Sequence, residues 1–557
     1  MANPTRRTRS AKRGSPRNGD RENFFGPVIA QSATDLSLTL THLAEAGSPD
    51  SLLEVALQGV TLSAHLVRVE LNGEAVGEVN YNGQGQGRGR FRLLHSLLVE
   101  GENRVRLTGL NGVGDISLVD YVRISYEHAL AADEEMIKLE VGGNQTVRVG
   151  GFSHDRIRVV DVTEADTPLE LTGKVEREKS GYSVRFASPE EGERKLMAFT
   201  AERSPESLTA NRPSELRKAN ADFIIITRRE FADALRPLVS LRQRQGLSVA
   251  VVDIEDIYDE FGFGQKSPFA MRDFLSVAKS SWKRKPQYVL FAADASYDPK
   301  NYLGQGDSDL VPTRLIDTLF METASDDWFS DFNNDGIADI ATGRLPARTA
   351  HEAALIVDKI IRYETGAPAE ELLLAADAND GYNFERAISE LRPLVPQSLR
   401  VTQINRGGTD GETARANLRE GLERGQKIVN YSGHGSVDQW GGNLLTAEDA
   451  RQLRNVRLPV FLMMTCLNGY FHDAAIDSLG ELLLKAEQGG AAAVWASSGM
   501  NEPAGQEAMN RELYRSLFTR GQVIRLGEAI LQAKAAVADT DIRRTWILLG
   551  DPAMKLK

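Results

Sequence analysis

Short apolar runs alternate with amphipathic stretches throughout the C-terminal half of the chain. The stretches at 230–245, 270–281 and 350–363 carry apolar residues at helical spacing, whereas the runs are continuous and often β-branched. The runs are ADFIIIT (221–227), LSVAVVDI (247–254), YVLFAAD (288–294), ELLLAAD (371–377), KIVNYSG (427–433), VFLMMTC (460–466) and AAAVWAS (491–497). Strands that alternate with helices predict a mostly parallel sheet. We therefore expect two α/β subdomains, at 221–365 and 366–557.

The N-terminal half has a different pattern, with short strand-like segments separated by turns rich in Gly and Asn. Their regular spacing is typical of β-sandwiches. The expected organisation is a disordered basic tail (1–22), a β-sandwich-like domain (23–130), a small β-domain (131–202) and a polar linker (203–220). The tail is rich in arginine and has almost no apolar residue, so it cannot pack a core.

The segment GQGQGRGR, at 83–90, has glycine at every second position. It matches neither GxGxxG nor GxxxxGK, and no helix is predicted after it, so a phosphate-binding loop is disfavoured. We interpret it as a flexible hairpin connection.

Composition narrows the classes of function. The chain has 557 residues, of which 41% are hydrophobic and 26% charged, as in soluble globular proteins. A net charge of −12 disfavours binding to nucleic acid, because such binding depends on neutralising phosphates. No apolar run reaches the roughly 18–20 residues that a transmembrane helix needs. The basic N-terminus is not followed by the apolar region of a signal peptide. The cellular location therefore stays open. The sequence does not fix the oligomeric state either.

The chain has a single cysteine, Cys466, so internal disulfides and cysteine-based zinc clusters are excluded. It directly follows the apolar run VFLMMT. His434, flanked by glycines, closely follows KIVNYS, and Asp377 follows ELLLAA. Open parallel sheets place their ligand sites beyond the carboxyl ends of their strands. We therefore expect an acid, a histidine and the thiol at one edge of the sheet.

This residue set suits nucleophilic acyl transfer. Cys466 would attack a carbonyl, and His434 would generate the thiolate and then protonate the leaving amine. Asp377 is the candidate to orient the imidazole, and the backbone N–H groups of Gly435 and Cys466 are candidate oxyanion donors. His472 is a rival base, but its polar neighbours favour a surface loop.

Two motifs carry a resemblance to a known family. NYSGHGSVDQWG (430–441) and TCLNGYF (465–471) resemble the His and Cys motifs of gingipain-type cysteine peptidases, which have a caspase-like fold. The histidine and the cysteine are 32 positions apart, which suits that family better than caspases, where the gap is about 50. GQEAMNRELY (505–514) and LLGDPAM (548–554) also resemble family segments, so the similarity covers roughly 221–557.

The resemblance implies an endopeptidase that uses Cys466 and His434, acts on proteins or peptides and needs no organic cofactor. It also implies an acid that orients the histidine; well-known members carry Glu there, and this sequence offers Asp377. Trp495 and Ser497 lie where the family has a strand leading to the substrate pocket. Asp380 is the acid available in the loop where arginine-specific members place a further one, but an arginine preference is not carried over.

A likeness to a calcium loop appears at DFNNDGIAD (331–339). Its oxygen ligands at alternate positions are Asp331, Asn333, Asp335, the carbonyl of Ile337, and Asp339. Position 12 is Thr342 instead of Glu, and Asp326 and Asp327 are candidates for the missing carboxylate. Calcium-binding loops also occur in gingipain-type enzymes. We expect a structural Ca²⁺, which would fit the extracellular setting that the family suggests.

Two alternatives stay open beside hydrolysis. The same acyl-enzyme resolved by an amine would make the protein a transpeptidase of a protein-secretion system. A catalytically retired surface or adhesion protein would bind ligands through its β-domains and would not need Cys466.

Overall fold

The computed structural model describes residues 10–11, 24–44, 51–189, 191–202, 204–205, 207–208, 210–211, 213–518 and 524–557. Its contacts divide the chain into two compact units, the first built on Phe24–Asn211 and the second on Arg212–Lys557. No helix in these ranges is both long and apolar enough to cross a membrane.

Among its described residues, the first unit consists of strands, turns and one short 3₁₀ helix. Its strands are β1 (Ser10–Ala11), β2 (Phe24–Phe25), β3 (Val28–Ile29), β4 (Thr34–Leu40), β5 (Ser51–Gly59), β6 (Ala64–Leu71), β7 (Glu74–Asn82), β8 (Gln86–Leu93), β9 (Gly101–Gly109), β10 (Ser117–Ser125), β11 (Met136–Gly142), β12 (Thr146–Phe152), β13 (Arg158–Asp161), β14 (Leu169–Leu171), β15 (Gly173–Glu178), β16 (Gly181–Ala187) and β17 (Glu193–Phe199). A single-turn 3₁₀ helix, His95–Leu97, follows β8.

Two four-stranded antiparallel sheets form the expected sandwich, in the orders β3-β10-β5-β8 and β4-β9-β6-β7. Alternate residues of both sheets share one core, as Val55 and Leu57 of β5 and Val67 and Val69 of β6 illustrate. The sheets β11-β17-β13-β14 and β12-β16-β15 build a second, smaller core in the same unit.

The glycine-rich segment at 83–90 is mostly a strand and not the flexible connection that the sequence suggested. Only Gly83–Gly85 connects β7 to β8, and the rest of the segment is part of the regular strand β8, which pairs with β5 along its length. The expected disordered tail lies outside the described residues except for Ser10–Ala11, which pair with Phe24–Phe25 as strands.

The second unit alternates strands with helices, as predicted. Its strands are β18 (Phe223–Thr227), β19 (Val249–Asp253), β20 (Tyr288–Ala292), β21 (Leu315–Asp317), β22 (Glu322–Ala324), β23 (Ala341–Arg344), β24 (Glu371–Ala376), β25 (Arg400–Asn405), β26 (Ile428–Ser432), β27 (Val460–Met464), β28 (Ala493–Ser497) and β29 (Trp546–Leu549). Its helices are α1 (Ala232–Arg244), α2 (Ile254–Gly262), α3 (Pro268–Ser281), α4 (Ala350–Thr365), α5 (Phe384–Ser389), α6 (Gly411–Arg424), α7 (Ala447–Gln452), α8 (Leu479–Lys485), α9 (Pro503–Phe518), α10 (Leu526–Ala535) and α11 (Thr540–Thr545).

One ten-stranded sheet runs through this unit in the order β19-β18-β20-β23-β29-β28-β27-β26-β24-β25. Its pairings are parallel except that of β29 with β28. The two predicted subdomains therefore share a single sheet, and β29 joins them at its centre.

Helices cover both faces of this sheet. In β18, Phe223 and Ile225 join one core with α1 and α4, whereas Ile224 and Ile226 join another with α2 and α3. Burial on both faces explains why the strands read as continuous apolar runs instead of alternating ones. The second half of the predicted linker also belongs here, because Leu216 is buried in the second core and its carbonyl accepts the Trp282 indole N–H.

A buried network of ion pairs joins the segment LGDPAM, at 549–554, to α1 and α4. The Arg242 guanidinium, fully buried, donates to Asp551 at 2.7 Å and to Glu364 at 2.7 Å. Burial raises the pKa of Asp551, and the charge of Arg242 opposes that rise. Removal of the cation would leave two buried carboxylates without their partner.

We predict that Arg242→Leu lowers the free energy of unfolding by about 3–5 kcal/mol, the typical cost of breaking a buried pair. Urea unfolding followed by tryptophan fluorescence measures it. Arg244→Leu, on the exposed side of the same helix, is the matched control and should change stability by about 0.5 kcal/mol or less. Equal losses in both variants would contradict a stabilising role for the network.

Candidate active site

Three of the predicted residues meet at one edge of the sheet. Asp377, His434 and Cys466 come just after β24, β26 and β27, which are consecutive, parallel neighbours. The backbone hydrogen bonds between these strands continue past the strand ends, from Asp377 N–H to the Ser432 carbonyl and from Gly433 N–H to the Met464 carbonyl. The loops that carry the acid, the histidine and the thiol therefore start side by side.

Asp377 holds the backbone of the histidine loop and not its ring. Its side chain is buried, and one carboxylate oxygen accepts the His434 backbone N–H at 3.1 Å. The other oxygen accepts from the Arg406 guanidinium at 2.5 Å and from the Ala378 N–H at 2.8 Å. The geometry therefore does not match the expectation that Asp377 orients the imidazole.

The glycines of the histidine motif make room for this carboxylate. A Cβ on Gly433 would collide with the Asp377 side chain, and a Cβ on Gly441 would collide with its carboxylate. Behind them, the buried Trp440 ring stacks on Tyr431 at 4.1 Å and 4°. Much of the motif thus shapes the loop around one buried acid.

The imidazole itself pairs with Asp380. His434 Nε2 lies 2.8 Å from the Asp380 carboxylate, and the ring packs edge-on against Phe384 at 5.3 Å. Both polar side chains are exposed, at 62% and 58%. Asp380, which the sequence suggested only for the substrate pocket, is therefore the acid placed to orient the histidine ring.

Cys466 lies at the start of a tight turn. The Asn501 N–H approaches its Sγ at 3.4 Å. Burial raises the pKa of the thiol above its ordinary value; the Asn501 N–H opposes this rise, and Glu502 adds to it. The next residue, Leu467, has φ 63° and donates its N–H to Gly499, so the chain turns sharply through a conformation that is unfavourable for a side chain. No hydrogen bond joins this thiol to the imidazole within the described part of the chain.

Gly435 brings the histidine loop against the cysteine turn. A Cβ on it would lie 2.5 Å from Thr465 Oγ1 and 3.1 Å from the Cys466 carbonyl oxygen. Hydrogen bonds across the Gly435–Trp440 bridge use the Ser436 N–H and the His434 carbonyl, which leaves the Gly435 N–H facing away from that pairing. This position suits the predicted oxyanion donor.

Two residues predicted for the substrate pocket lie in the interior. Trp495 is fully buried in β28 and packs against Trp546, so it lines no open pocket in this structure. Ser497 is also buried, and its Oγ accepts from Asn501 Nδ2 at 2.8 Å and from Gly499 N–H at 3.1 Å. Ser497 thus stabilises the turn at 499–501, whose Asn501 contacts the thiol.

Sequence reasoning missed Arg406 and Asn501. Arg406 immediately follows β25, the next parallel neighbour of β24, so the same strand-end rule that identified Asp377 applies to it. Nothing in the sequence around Asn501 marks it as a contact of the thiol.

The prediction that His472 lies in a surface loop was wrong. Its ring is 1% exposed and packs against Tyr470 and Tyr297. Burial, with a smaller contribution from Arg344, lowers its pKa to about 3. A histidine that stays neutral inside the core is a poor candidate for the general base.

The predicted calcium loop is a compact turn whose acids accept its own backbone N–H groups. Asp331 accepts from Asp335 and Gly336, Asp335 from Ile337, and Asp339 from Phe332. Burial raises the pKa of Asp331.

Asp326 and Asp327 do not complete this loop, because they form buried ion pairs with Arg344 and Lys534. Within the described ranges, no three His, Cys, Asp or Glu side chains converge as ligands. The fit to calcium in this conformation is therefore incomplete, and the site stays a prediction.

Comparison with known proteins decides the family. The profile of peptidase family C25 matches residues 217–557, well over half of the chain. The chain belongs to peptidase family C25. The expected membership of the gingipain-type cysteine peptidases is confirmed, and the match begins where the structure places the start of the second core.

Two curated relatives of this C25 member are gingipain R2 and gingipain R1 of Porphyromonas gingivalis. Each is 23% identical over 367 residues, which cover 61% of this chain. The chain spans 46% of the first and 34% of the second, so about half or less of their length.

Two solved structures share the fold. The Arg-specific cysteine proteinase gingipain R aligns with a TM-score of 0.52 and 20% identity, covering 61% of this chain and 78% of its own. Dimeric latent PorU from Porphyromonas gingivalis aligns with a TM-score of 0.56 and 16% identity, covering 98% of this chain and 51% of its own. These similarities support the caspase-like fold expected for the C-terminal half.

The buried thiol predicts slow alkylation at neutral pH, because the thiolate is the reactive form. The rate with iodoacetamide, followed by mass spectrometry, should reach its half-maximum at a pH above that of free cysteine, about 8.5. Glu502→Gln should lower that midpoint, since it removes a nearby negative charge. Glu487→Gln, an exposed acid just past α8, is the control and should leave it unchanged. A wild-type midpoint below that of free cysteine would refute the effect of burial.

Proposed function

We propose that this protein is a cysteine-type endopeptidase that hydrolyses peptide bonds through Cys466 and His434. The observation that carries the proposal is the delivery of both residues by neighbouring parallel strands, with Asp380 on the imidazole. Asp380 accepts from Nε2–H, which fixes the tautomer whose Nδ1 is free to take a proton.

The reaction begins when His434 takes the thiol proton and Cys466 Sγ attacks the carbonyl carbon of the substrate. The carbonyl oxygen becomes negative and accepts from the N–H groups of Gly435 and Cys466. Collapse of this intermediate breaks the C–N bond, and the imidazolium gives its proton to the departing amine. The thioester that remains is then hydrolysed by water, with His434 acting as the base.

Asp377 has a different part in this proposal. It contacts no reacting atom, and it positions His434 through the backbone together with Arg406. Ser497 and Asn501 position the cysteine turn in the same way. The division predicts that Asp380 affects the chemistry, whereas Asp377 affects the integrity of the loop.

We predict that wild-type protein cleaves a mixed peptide library and that Cys466→Ala does not. Asp380→Asn should lower kcat by about 10²–10⁴-fold, the usual contribution of acid–base catalysis, with an unchanged Tm because the side chain is exposed. Asp377→Asn should lower both kcat and Tm. Liquid chromatography with mass spectrometry gives the cut sites, and differential scanning fluorimetry gives Tm.

The same assay, run with an added amine, separates hydrolysis from transfer. Products that carry the amine would identify a transpeptidase, whereas free carboxyl termini support the endopeptidase. Equal cleavage by wild type and Cys466→Ala would overturn the proposed nucleophile. Absence of cleavage and of amine capture, with reductant and calcium present, would favour the retired surface protein.

We also propose that the loop at 331–339 binds a structural Ca²⁺. The support is the alternation of Asp331, Asn333, Asp335 and Asp339, together with the burial of Asp331. Calcium at about millimolar concentration should raise Tm relative to a chelator, since a ligand that binds only the folded state stabilises it. Asp335→Asn should remove the shift, whereas Asp307→Asn, an exposed acid outside the loop, should retain it. A Tm that does not respond to calcium would reject the site.

A further inference from the structure

The strand β8 explains the alternating glycines of the sequence. Gly87 and Gly89 face the sandwich core, where a Cβ on Gly87 would collide with the Tyr81 ring and one on Gly89 would lie 2.6 Å from the Phe91 ring. The intervening side chains point the other way, because successive residues of a strand face opposite sides. Arg88, Arg90 and Arg92 therefore form an exposed row, which we call the arginine ladder.

The ladder has little negative charge to balance it. Arg90 pairs with Glu54 at 2.9 Å, and Glu54 also lies 3.6 Å from Arg123 on the neighbouring β10. Arg88 and Arg92 form no ion pair with any residue in the described ranges. Of the four guanidinium groups on this sheet face, two, those of Arg90 and Arg123, thus share the carboxylate of Glu54, in a chain whose net charge is −12.

We propose that the arginine ladder binds an extended polypeptide segment that carries carboxylates at alternate positions. Side chains on one face of a strand recur every ~6.8 Å, twice the rise per residue, and an extended peptide laid along β8 has the same repeat. Each carboxylate then meets one guanidinium, whose planar fork suits bidentate pairing. Because β8 and the peptide have the same repeat, the carboxylates stay opposite the guanidinium groups over all three arginines.

An acidic peptide fits this face better than a nucleic acid does. Proteins that bind single strands use exposed aromatic rings on which bases stack. Tyr121 has its ring on this face, but the Arg123 guanidinium lies over that ring at 4.9 Å.

The test measures fluorescence anisotropy of a labelled peptide of alternating Glu and Ser against the full-length Cys466→Ala protein at low salt. This form needs no catalysis, so the result stands apart from the proposed peptidase activity. Arg88→Ala with Arg92→Ala should weaken Kd by at least about tenfold, equivalent to ~1.4 kcal/mol. Lys at both positions should give intermediate affinity, because lysine keeps the charge and loses the fork.

The matched control is Arg104→Ala with Arg106→Ala, which also removes two arginines from alternate positions of a strand. Both already pair with Asp35, at 2.6 and 2.8 Å, so binding should not change. The proposal is overturned if the alternating peptide does not bind, or if it binds the Arg88/Arg92 variant as tightly as its parent. It is also overturned if a peptide with the same residues in blocks, heparin or oligo-dT binds as tightly as the alternating peptide.

Discussion

The register of three parallel strands is the constraint on which the candidate site depends. β24, β26 and β27 pair without an offset that would separate their carboxyl ends, so the loops after them begin at one level of the sheet. A shift of one residue in any pairing would turn every side chain of that strand to the opposite face. The buried core on both faces forbids such a shift, and the apolar strands therefore fix the chemistry that follows them.

Sequence analysis named one acid, Asp377, to position His434, whereas the structure uses two. Asp377 holds the backbone of the histidine loop, and Asp380 contacts the imidazole. Asp377 is buried beside Arg406 and supports the backbone, where an unpaired charge would be costly. Asp380 is exposed and contacts the ring, where solvent screens the pair. The step of three residues from Asp377 to Asp380 carries the second carboxylate out of the core and to Nε2 of the imidazole.

Strand ends were predictable from the sequence, whereas side-chain directions within the loops were not. Continuous apolar runs bounded by glycine and polar residues located β24, β26 and β27, and parallel pairing then brought Asp377, His434 and Cys466 to one edge. The roles of Asp377 and Asp380 depend on φ and ψ in a short loop, which no periodicity encodes. His472 misled for a related reason, since polar neighbours in sequence say little about a turn that folds back into the core.

The last described strand has a consequence for how the peptidase unit is assembled. β29 lies between β23 and β28, although some two hundred positions separate it from β23 along the chain. The centre of the sheet therefore forms only when segments far apart in the chain come together, and contacts between such distant segments slow folding. A chain truncated before β29 would leave β23 and β28 as unpaired, apolar edge strands. Such edges pair with other chains and promote aggregation.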